Sequence, residues 1–130
     1  MAYPEPDVGG EVSEAVVSPW WWVAAIAAVL VQLVGLYAPG SPGGEQLIPI
    51  TGADKVIHAL MFAAPTYLLA SLTGRRWLVA TVFALHAPVS ELVQWRFVPY
   101  RDGDVWDLVA DLVGIGVALA VWTRVNRAGS

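Results

Sequence analysis

The sequence predicts an all-α membrane protein, a bundle of four transmembrane helices. Hydrophobic residues make up 57% of its 130 residues, and the mean hydropathy of +0.59 is high for a water-soluble domain. Four apolar stretches are each long enough to cross a bilayer, which takes about 20 helical residues. We therefore expect one membrane domain over residues 15–127, with spans at about 19–38, 54–73, 77–95 and 104–123.

The first span follows an acidic tail. Residues 1–14 carry four of the eleven acidic residues and are punctuated by Pro and Gly, so we expect them to be flexible. No charged residue then occurs between Ala15 and Gly44. Pro19 suits the first turn of a helix, and the three Trp residues that follow it are typical of a membrane interface.

Two spans carry faces of small residues, which allow helices to pack closely in a membrane. These faces consist of Ala24, Ala28, Gln32 and Gly35 in the first span, and Ala110, Gly114 and Ala118 in the fourth. Gln32 is strongly polar, and we expect it to form an interhelical hydrogen bond.

The second and third spans each contain a proline. Pro65 lies within the second span and is expected to kink it, and Pro88 lies one turn before Glu91 in the third. Asp54 is placed to cap the start of the second span, with Lys55 in its first turn.

Ionisable residues concentrate where these helices begin or end. Such groups are costly near a membrane and usually mark a site. Because successive spans alternate in direction, the start of the second helix, the end of the third and the start of the fourth lie on one side of the membrane. Each contributes a polar stripe at helical spacing: Asp54 with His58, Glu91 with Gln94, and Asp104 with Asp107 and Asp111.

These stripes define the candidate site. Carboxylates held close together repel one another unless a cation, a proton or a basic partner compensates them. Lys55, Arg96 and Arg101 are the available bases, and the planar fork of Arg101 suits a carboxylate or phosphate. The candidate ligand-binding residues are Asp54, Lys55, His58, Glu91, Gln94, Arg101, Asp104, Asp107 and Asp111. Within this set, the candidates for acid–base catalysis are His58, Glu91 and Asp107. The candidate ligands for a divalent cation are Glu91, Asp107 and Asp111.

Several of the polar residues in these helices and connections also have a structural interpretation. Asp54 is explained by helix capping alone, and Asp102 and Asp104 by solvation beside a helix start. His86, in mid-span, is expected to be a packing residue. An ion pair such as Glu91 with Arg101 would fix the helix arrangement without any chemistry.

Several separate blocks of the sequence resemble the VanZ-like family of membrane proteins. The blocks are Asp54-Lys55-xx-His58, Ser90-Glu91-xx-Gln94, Arg101, and Asp107-xxx-Asp111-xx-Gly114, which together span nearly half the chain. The resemblance implies a small polytopic membrane protein, and the family takes its name from a protein linked to resistance to the antibiotic teicoplanin. It supplies no mechanism, and antibiotic resistance would be an analogy only. The family commonly has Asn at the position of Asp111, so this chain differs there by an ionisable group.

Three functions remain open from the sequence. The first is a site that binds or processes an anionic envelope molecule, such as a lipid-linked phosphate or glycolipid. The second is a proton- or cation-linked membrane site. The third is a non-catalytic scaffold or accessory subunit. The chain has no basic run, so nucleic acid is not expected as a partner. It has no cysteine, which excludes thiolate chemistry.

The arginines give a preference for orientation. Four of them (Arg75, Arg76, Arg124 and Arg127) flank the side of the membrane that holds both termini, against three bases on the other side. The positive-inside rule then predicts cytoplasmic termini in a multi-pass protein of the cell membrane, with the polar site facing outside.

Overall fold

Four helices form the whole of the regular structure in the residues described here. A computed structural model describes residues 17–43, 48 and 50–129. It contains α1 (Pro19–Tyr37), α2 (Ala53–Thr73), α3 (Arg76–Phe97) and α4 (Val105–Ala128). The predicted all-α bundle is confirmed. The acidic tail predicted for residues 1–14 lies outside the described residues.

The helices run alternately up and down, and α2 lies at the centre. Side-chain pairs fix the directions: Lys55 near the start of α2 reaches Asp107 near the start of α4, so these two helices are parallel. Arg76 at the start of α3 reaches Thr123 near the end of α4, so α3 is antiparallel to both. Helix α2 contacts the other three helices, most extensively α4, whereas α1 and α4 do not touch within the described part of the chain.

The packed interior is thin, as expected for a bundle surrounded by lipid. Between 17% and 33% of the residues in the most apolar stretch of each helix are buried. Phe62 and Phe83 meet edge to face at its centre, with ring centroids 6.2 Å apart. Large apolar side chains such as Val31 and Leu85 point outward from the bundle. All four helices are long and apolar enough to cross a membrane.

The ends of the helices differ from the sequence prediction in small ways. Helix α4 continues to Ala128, five residues beyond the predicted end at 123, so it includes Arg124 and carries Arg127 in its last turn. Helix α2 begins at Ala53. The prediction that Asp54 is its N-cap is wrong, because Gly52 occupies that position with a φ of 83°, a left-handed conformation that glycine adopts readily.

The predicted packing face of α1 is partly wrong. Ala25, Gln32 and Leu36 are its buried residues, whereas Ala24 is exposed. The helix is therefore rotated relative to the predicted small-residue face. The interhelical hydrogen bond expected of Gln32 is also absent: its buried amide has no partner among the described residues.

The small-residue face of α4 allows a close approach of α2 and α4. Gly114 and Ala118 are buried and Ala110 is half-buried. A methyl group added at Gly114 would overlap the carbonyl oxygen of Ala59 in α2. The absence of a side chain at Gly114 therefore sets the distance between the two helices that carry most of the site.

We expect Gly114→Ala to destabilise the protein by about 1–3 kcal/mol, because the added methyl group forces α2 and α4 apart. Thermal unfolding in a fixed detergent measures the effect. Gly116→Ala is the matched control on the same helix, because a methyl group there meets nothing within 4 Å. Equal stability of the two variants would contradict the inferred close approach.

Candidate functional site

The ammonium group of Lys55 joins the first turn of α2 to the start of α4. Its Nζ donates to Asp104 Oδ2 and Asp107 Oδ1, both at 2.6 Å, and lies 2.8 Å from Asp54 Oδ2. The Lys55 ammonium holds the pKa of the Asp104 carboxyl below its usual range, with help from the backbone N–H of Trp106. Lys55 is thus fully engaged by three carboxylates.

His58 lies one turn deeper, between the carboxylates of Asp107 and Asp111. Its Nδ1 is 3.0 Å from Asp111 Oδ1, a side chain with no solvent exposure. Its Nε2 is 3.7 Å from Asp107 Oδ2, which is too long for a hydrogen bond. Asp107 therefore stands between the two bases, with one oxygen on Lys55 and the other facing His58.

Glu91 closes the cluster from α3. Its Oε2 accepts a hydrogen bond of 3.0 Å from the backbone N–H of Asp104, the residue that caps α4 by accepting from the Trp106 amide. Its other oxygen, Oε1, is buried without a partner among the described residues, as is Oδ2 of Asp111. One ligand atom each from His58, Glu91 and Asp107 lie within 4.8 Å of one another.

This cluster carries an excess of negative charge. The cluster holds one ammonium, that of Lys55, and five carboxyl groups, those of Asp54, Glu91, Asp104, Asp107 and Asp111. With every carboxyl ionised and His58 neutral, the excess is four negative charges. Such an excess at a membrane boundary requires a bound cation or protons.

Arg101 does not join this cluster. Its Nη2 donates to the backbone carbonyl of Gly35 at 2.7 Å, in the last turn of α1, where helix carbonyls lack partners of their own. The Gly40 amide donates to the Pro99 carbonyl at 3.0 Å. The connection between α3 and α4 is therefore fastened to the end of α1, and the suggested Glu91–Arg101 ion pair is not formed.

A cavity of about 540 Å³ lies beside the cluster, between the end of α1, the start of α2 and the α3–α4 connection. Its ionisable lining includes Arg101, Asp54 and His58. Apolar side chains such as Val34 and Met61 form much of the rest. The cavity therefore places two residues of the polar cluster beside apolar surface.

The remaining predicted residues lie apart from this arrangement. The guanidinium of Arg96 lies over the Phe97 ring, and Asp102 is exposed. His86 accepts or donates a hydrogen bond of 2.8 Å with the Tyr37 hydroxyl and packs near Phe62, consistent with a packing role. Gln94 is buried near Glu91 on α3, and its Nε2 has no partner within the described residues.

The contribution of α1 to the site was missed by the sequence analysis. The Gly35 carbonyl holds Arg101, and Val34 lines the cavity. Nothing in the composition of α1 signals this role, because the helix contributes a backbone carbonyl and apolar surface. Tyr100, in the α3–α4 connection, adopts a left-handed backbone conformation with a φ of 59°. Its residue type gives no indication of this conformation in the sequence.

Fold and site together define a multi-pass integral membrane protein with a partly buried carboxylate–histidine–lysine cluster at one end of the bundle. Comparisons of the chain with protein-family models, with curated proteins and with solved structures found no match. The geometry of the site is therefore the basis for a functional proposal.

We expect Lys55→Met to destabilise the protein by about 1–3 kcal/mol, because Asp104 and Asp107 lose their common counter-charge. This is less than the roughly 3–5 kcal/mol for a fully buried pair, since the Lys55 side chain is 31% exposed. Thermal unfolding in detergent measures the loss. Arg96→Met is the matched control, because it removes a positive charge outside the cluster.

The pH dependence separates lost charge pairing from lost packing. A carboxyl with a lowered pKa stabilises the fold above its unfolded pKa of about 3.9 and loses this contribution as the pH falls through its folded pKa. The stability difference between wild type and Lys55→Met should therefore shrink in acid below about pH 4. A difference independent of pH would contradict the charge pairing of Asp104 with Lys55.

Proposed function

We propose that this chain is a VanZ-like integral membrane protein that binds a polar, anionic envelope molecule in the cavity at one end of its bundle. The class of ligand is a lipid-linked phosphate or a glycolipid. The observation that carries the proposal is the cavity of about 540 Å³, which is lined by both charged and apolar side chains. A molecule with a charged head and an apolar chain matches such a mixed lining.

Arg101 is the residue that would hold the head group. Its guanidinium uses Nη2 for the Gly35 carbonyl, and a guanidinium has five N–H donors in all. The remaining donors are suited to phosphate oxygens. Lys55, another candidate ligand-binding base, is already engaged by three carboxylates.

His58 is the acid–base candidate that lines the cavity. Glu91 and Asp107 lie behind it in the cluster, within 4.8 Å of its ring nitrogen. If the bound molecule is also processed, the proton transfer would involve His58, with the two carboxylates setting its charge.

The resemblance to the VanZ-like family gains support from the positions of its motif residues. The blocks come from three helices and from the connection between α3 and α4, and six of their residues form one network. They are Asp54, Lys55, His58, Glu91, Asp107 and Asp111. The glycine of the last block, Gly114, provides the close approach of α2 and α4.

We expect Arg101→Gln to weaken binding of a polyprenyl phosphate at least about tenfold, because a charge-assisted contact to the phosphate contributes about 1.5–3 kcal/mol. Native mass spectrometry of the purified protein in detergent measures the lipid-bound fraction. The matched protein control is Arg96→Gln, and the matched ligand control is the polyprenol without phosphate.

Two results would contradict this proposal. One is polyprenyl phosphate binding that Arg101→Gln leaves unchanged, and the other is equal binding of the phosphate and the polyprenol. A neutral glycolipid tested in the same way distinguishes the two ligand classes. Absence of all lipid binding would favour the scaffold function.

The proposed orientation places both termini in the cytoplasm and the site outside. It relies on the arginines at one end of the bundle, because basic residues favour the cytoplasmic side. That end contains the turn between α2 and α3 and the C-terminal end of α4. Lipid-linked precursors and glycolipids of the outer face would then have direct access to the cavity.

Because the chain has no cysteine, single cysteines report the orientation without background. We expect Asp102→Cys, in the α3–α4 connection, to react with a membrane-impermeant maleimide on intact cells. Arg75→Cys, in the opposite turn, should react only after permeabilisation. The reverse pattern would show that the site faces the cytoplasm.

A further inference from the structure

We propose that His58, Glu91 and Asp107 bind a divalent transition-metal ion with mixed nitrogen and oxygen preference, such as Mn²⁺ or Zn²⁺. This inference goes beyond the lipid-binding proposal and does not depend on it, because the three residues form a site of their own. Each residue comes from a different helix: α2, α3 and α4.

The distances are close to those that a metal ion needs. One ligand atom from each residue lies within 4.8 Å of the others. Around an ion with bonds of about 2.0–2.2 Å, neighbouring ligand atoms are roughly 3–3.5 Å apart. An inward movement of about 1 Å, within reach of side-chain rotation, would complete the coordination.

The unpaired oxygen of Glu91 is an independent observation. Glu91 is 8% exposed, and its Oε1 is buried without a partner among the described residues. A buried carboxylate oxygen left unpaired is costly. Its partner oxygen Oε2 is held by the Asp104 amide, so the carboxylate is fixed with one oxygen available for a ligand.

The hydrogen bond between His58 and Asp111 prepares the imidazole for a metal. The ionised carboxylate can only accept, so we assign the proton of the neutral ring to Nδ1, 3.0 Å from Asp111 Oδ1. The lone pair is then on Nε2, which faces Asp107 Oδ2 at 3.7 Å. His58 Nε2 and Asp107 Oδ2 thus point lone pairs towards each other, as two ligands of the same metal ion do. A carboxylate behind a ligating histidine is a recurrent arrangement in metal sites.

The ligand set and the charge of the site favour Mn²⁺ or Zn²⁺ over Mg²⁺ or Ca²⁺. Imidazole is a ligand of transition metals, whereas Mg²⁺ and Ca²⁺ prefer shells made only of oxygen. A divalent ion would offset two of the four excess negative charges of the cluster. The cavity gives an entry path, because it is lined by His58.

The competing explanation is a protonated His58. An imidazolium would donate from both nitrogens, to Asp111 and towards Asp107, and would need no ion. It would leave Oε1 of Glu91 unpaired. The two explanations differ in whether metal binds and whether nitrogen coordinates it.

Mn²⁺ provides the direct test, because it can be counted and its ligands identified by electron paramagnetic resonance. The full-length protein in detergent micelles is treated with a chelator, freed of the chelator and titrated with Mn²⁺ alone. We expect one Mn²⁺ per chain, with a pulsed-resonance coupling to ¹⁴N from His58. Zn²⁺ should displace it.

Variants identify the ligands. His58→Gln should abolish the nitrogen coupling, and Glu91→Gln and Asp107→Asn should each weaken Mn²⁺ binding at least about tenfold. Asp102→Asn and His86→Gln are the matched controls for a lost carboxylate and a lost imidazole, and should bind as wild type. Circular dichroism and gel filtration establish that each variant is folded.

Asp111 is a positioning residue for His58. Its replacement tests whether the proton of the neutral imidazole is on Nδ1, as assigned above. The amide oxygen of Asp111→Asn can still accept from Nδ1, so ¹⁴N coupling should persist. Asp111→Leu removes the acceptor and should weaken or remove that coupling.

Failure of this proposal is clear in the wild-type protein alone. No Mn²⁺ or Zn²⁺ binding, or bound Mn²⁺ without ¹⁴N coupling, overturns it. Binding that survives all three ligand replacements does the same. In each case the lipid-binding proposal stands or falls separately, because its assay uses polyprenyl phosphate and Arg101→Gln.

Discussion

The arrangement of the site depends on one ammonium group shared between two parallel helices. Lys55 reaches carboxylates of α4 from the first turn of α2, and one turn deeper His58 repeats the contact with Asp111. Below these pairs, Gly114 lets the helix backbones approach. The polar contacts at the end of the bundle and the close packing at Gly114 therefore fix the same register between α2 and α4. A slip of one turn in α4 would separate both bases from their carboxylates at once.

The surroundings of this contact strengthen its electrostatics. Asp111 is fully buried and Glu91 nearly so, and interactions between charges are weakly screened there compared with bulk water. The same condition makes the unbalanced carboxylates costly. A cluster of this kind contributes to the order of the bundle only when its charge is compensated. The structural role of the cluster is therefore linked to whatever cation or protons compensate its charge.

Much of the fold was predictable because lipid imposes simple rules on sequence. Span length, the run without charges after Ala15 and the polar connections were sufficient for four helices. The alternating direction of the helices was enough to predict that the start of α2, the end of α3 and the start of α4 lie on one side of the membrane. It could not predict which side chains pair there, because pairing depends on how each helix is rotated about its axis. Thus Arg101 pairs with a backbone carbonyl where a carboxylate was suggested, and α1 presents Ala25 to the bundle in place of Ala24.

The parallel course of α2 and α4 has an electrostatic consequence of its own. Both helices begin at the rim where the acids gather, so the positive ends of two backbone dipoles, each equivalent to roughly half a charge, lie together there. Asp54 and Asp107 lie in the first turns of these helices, where such a dipole favours an anion most. The ends of α1 and α3 lie at the same rim, so this favourable effect is local to the first turns of α2 and α4. Asp54 and Asp107 placed at the far ends of these two helices would meet negative dipole ends instead.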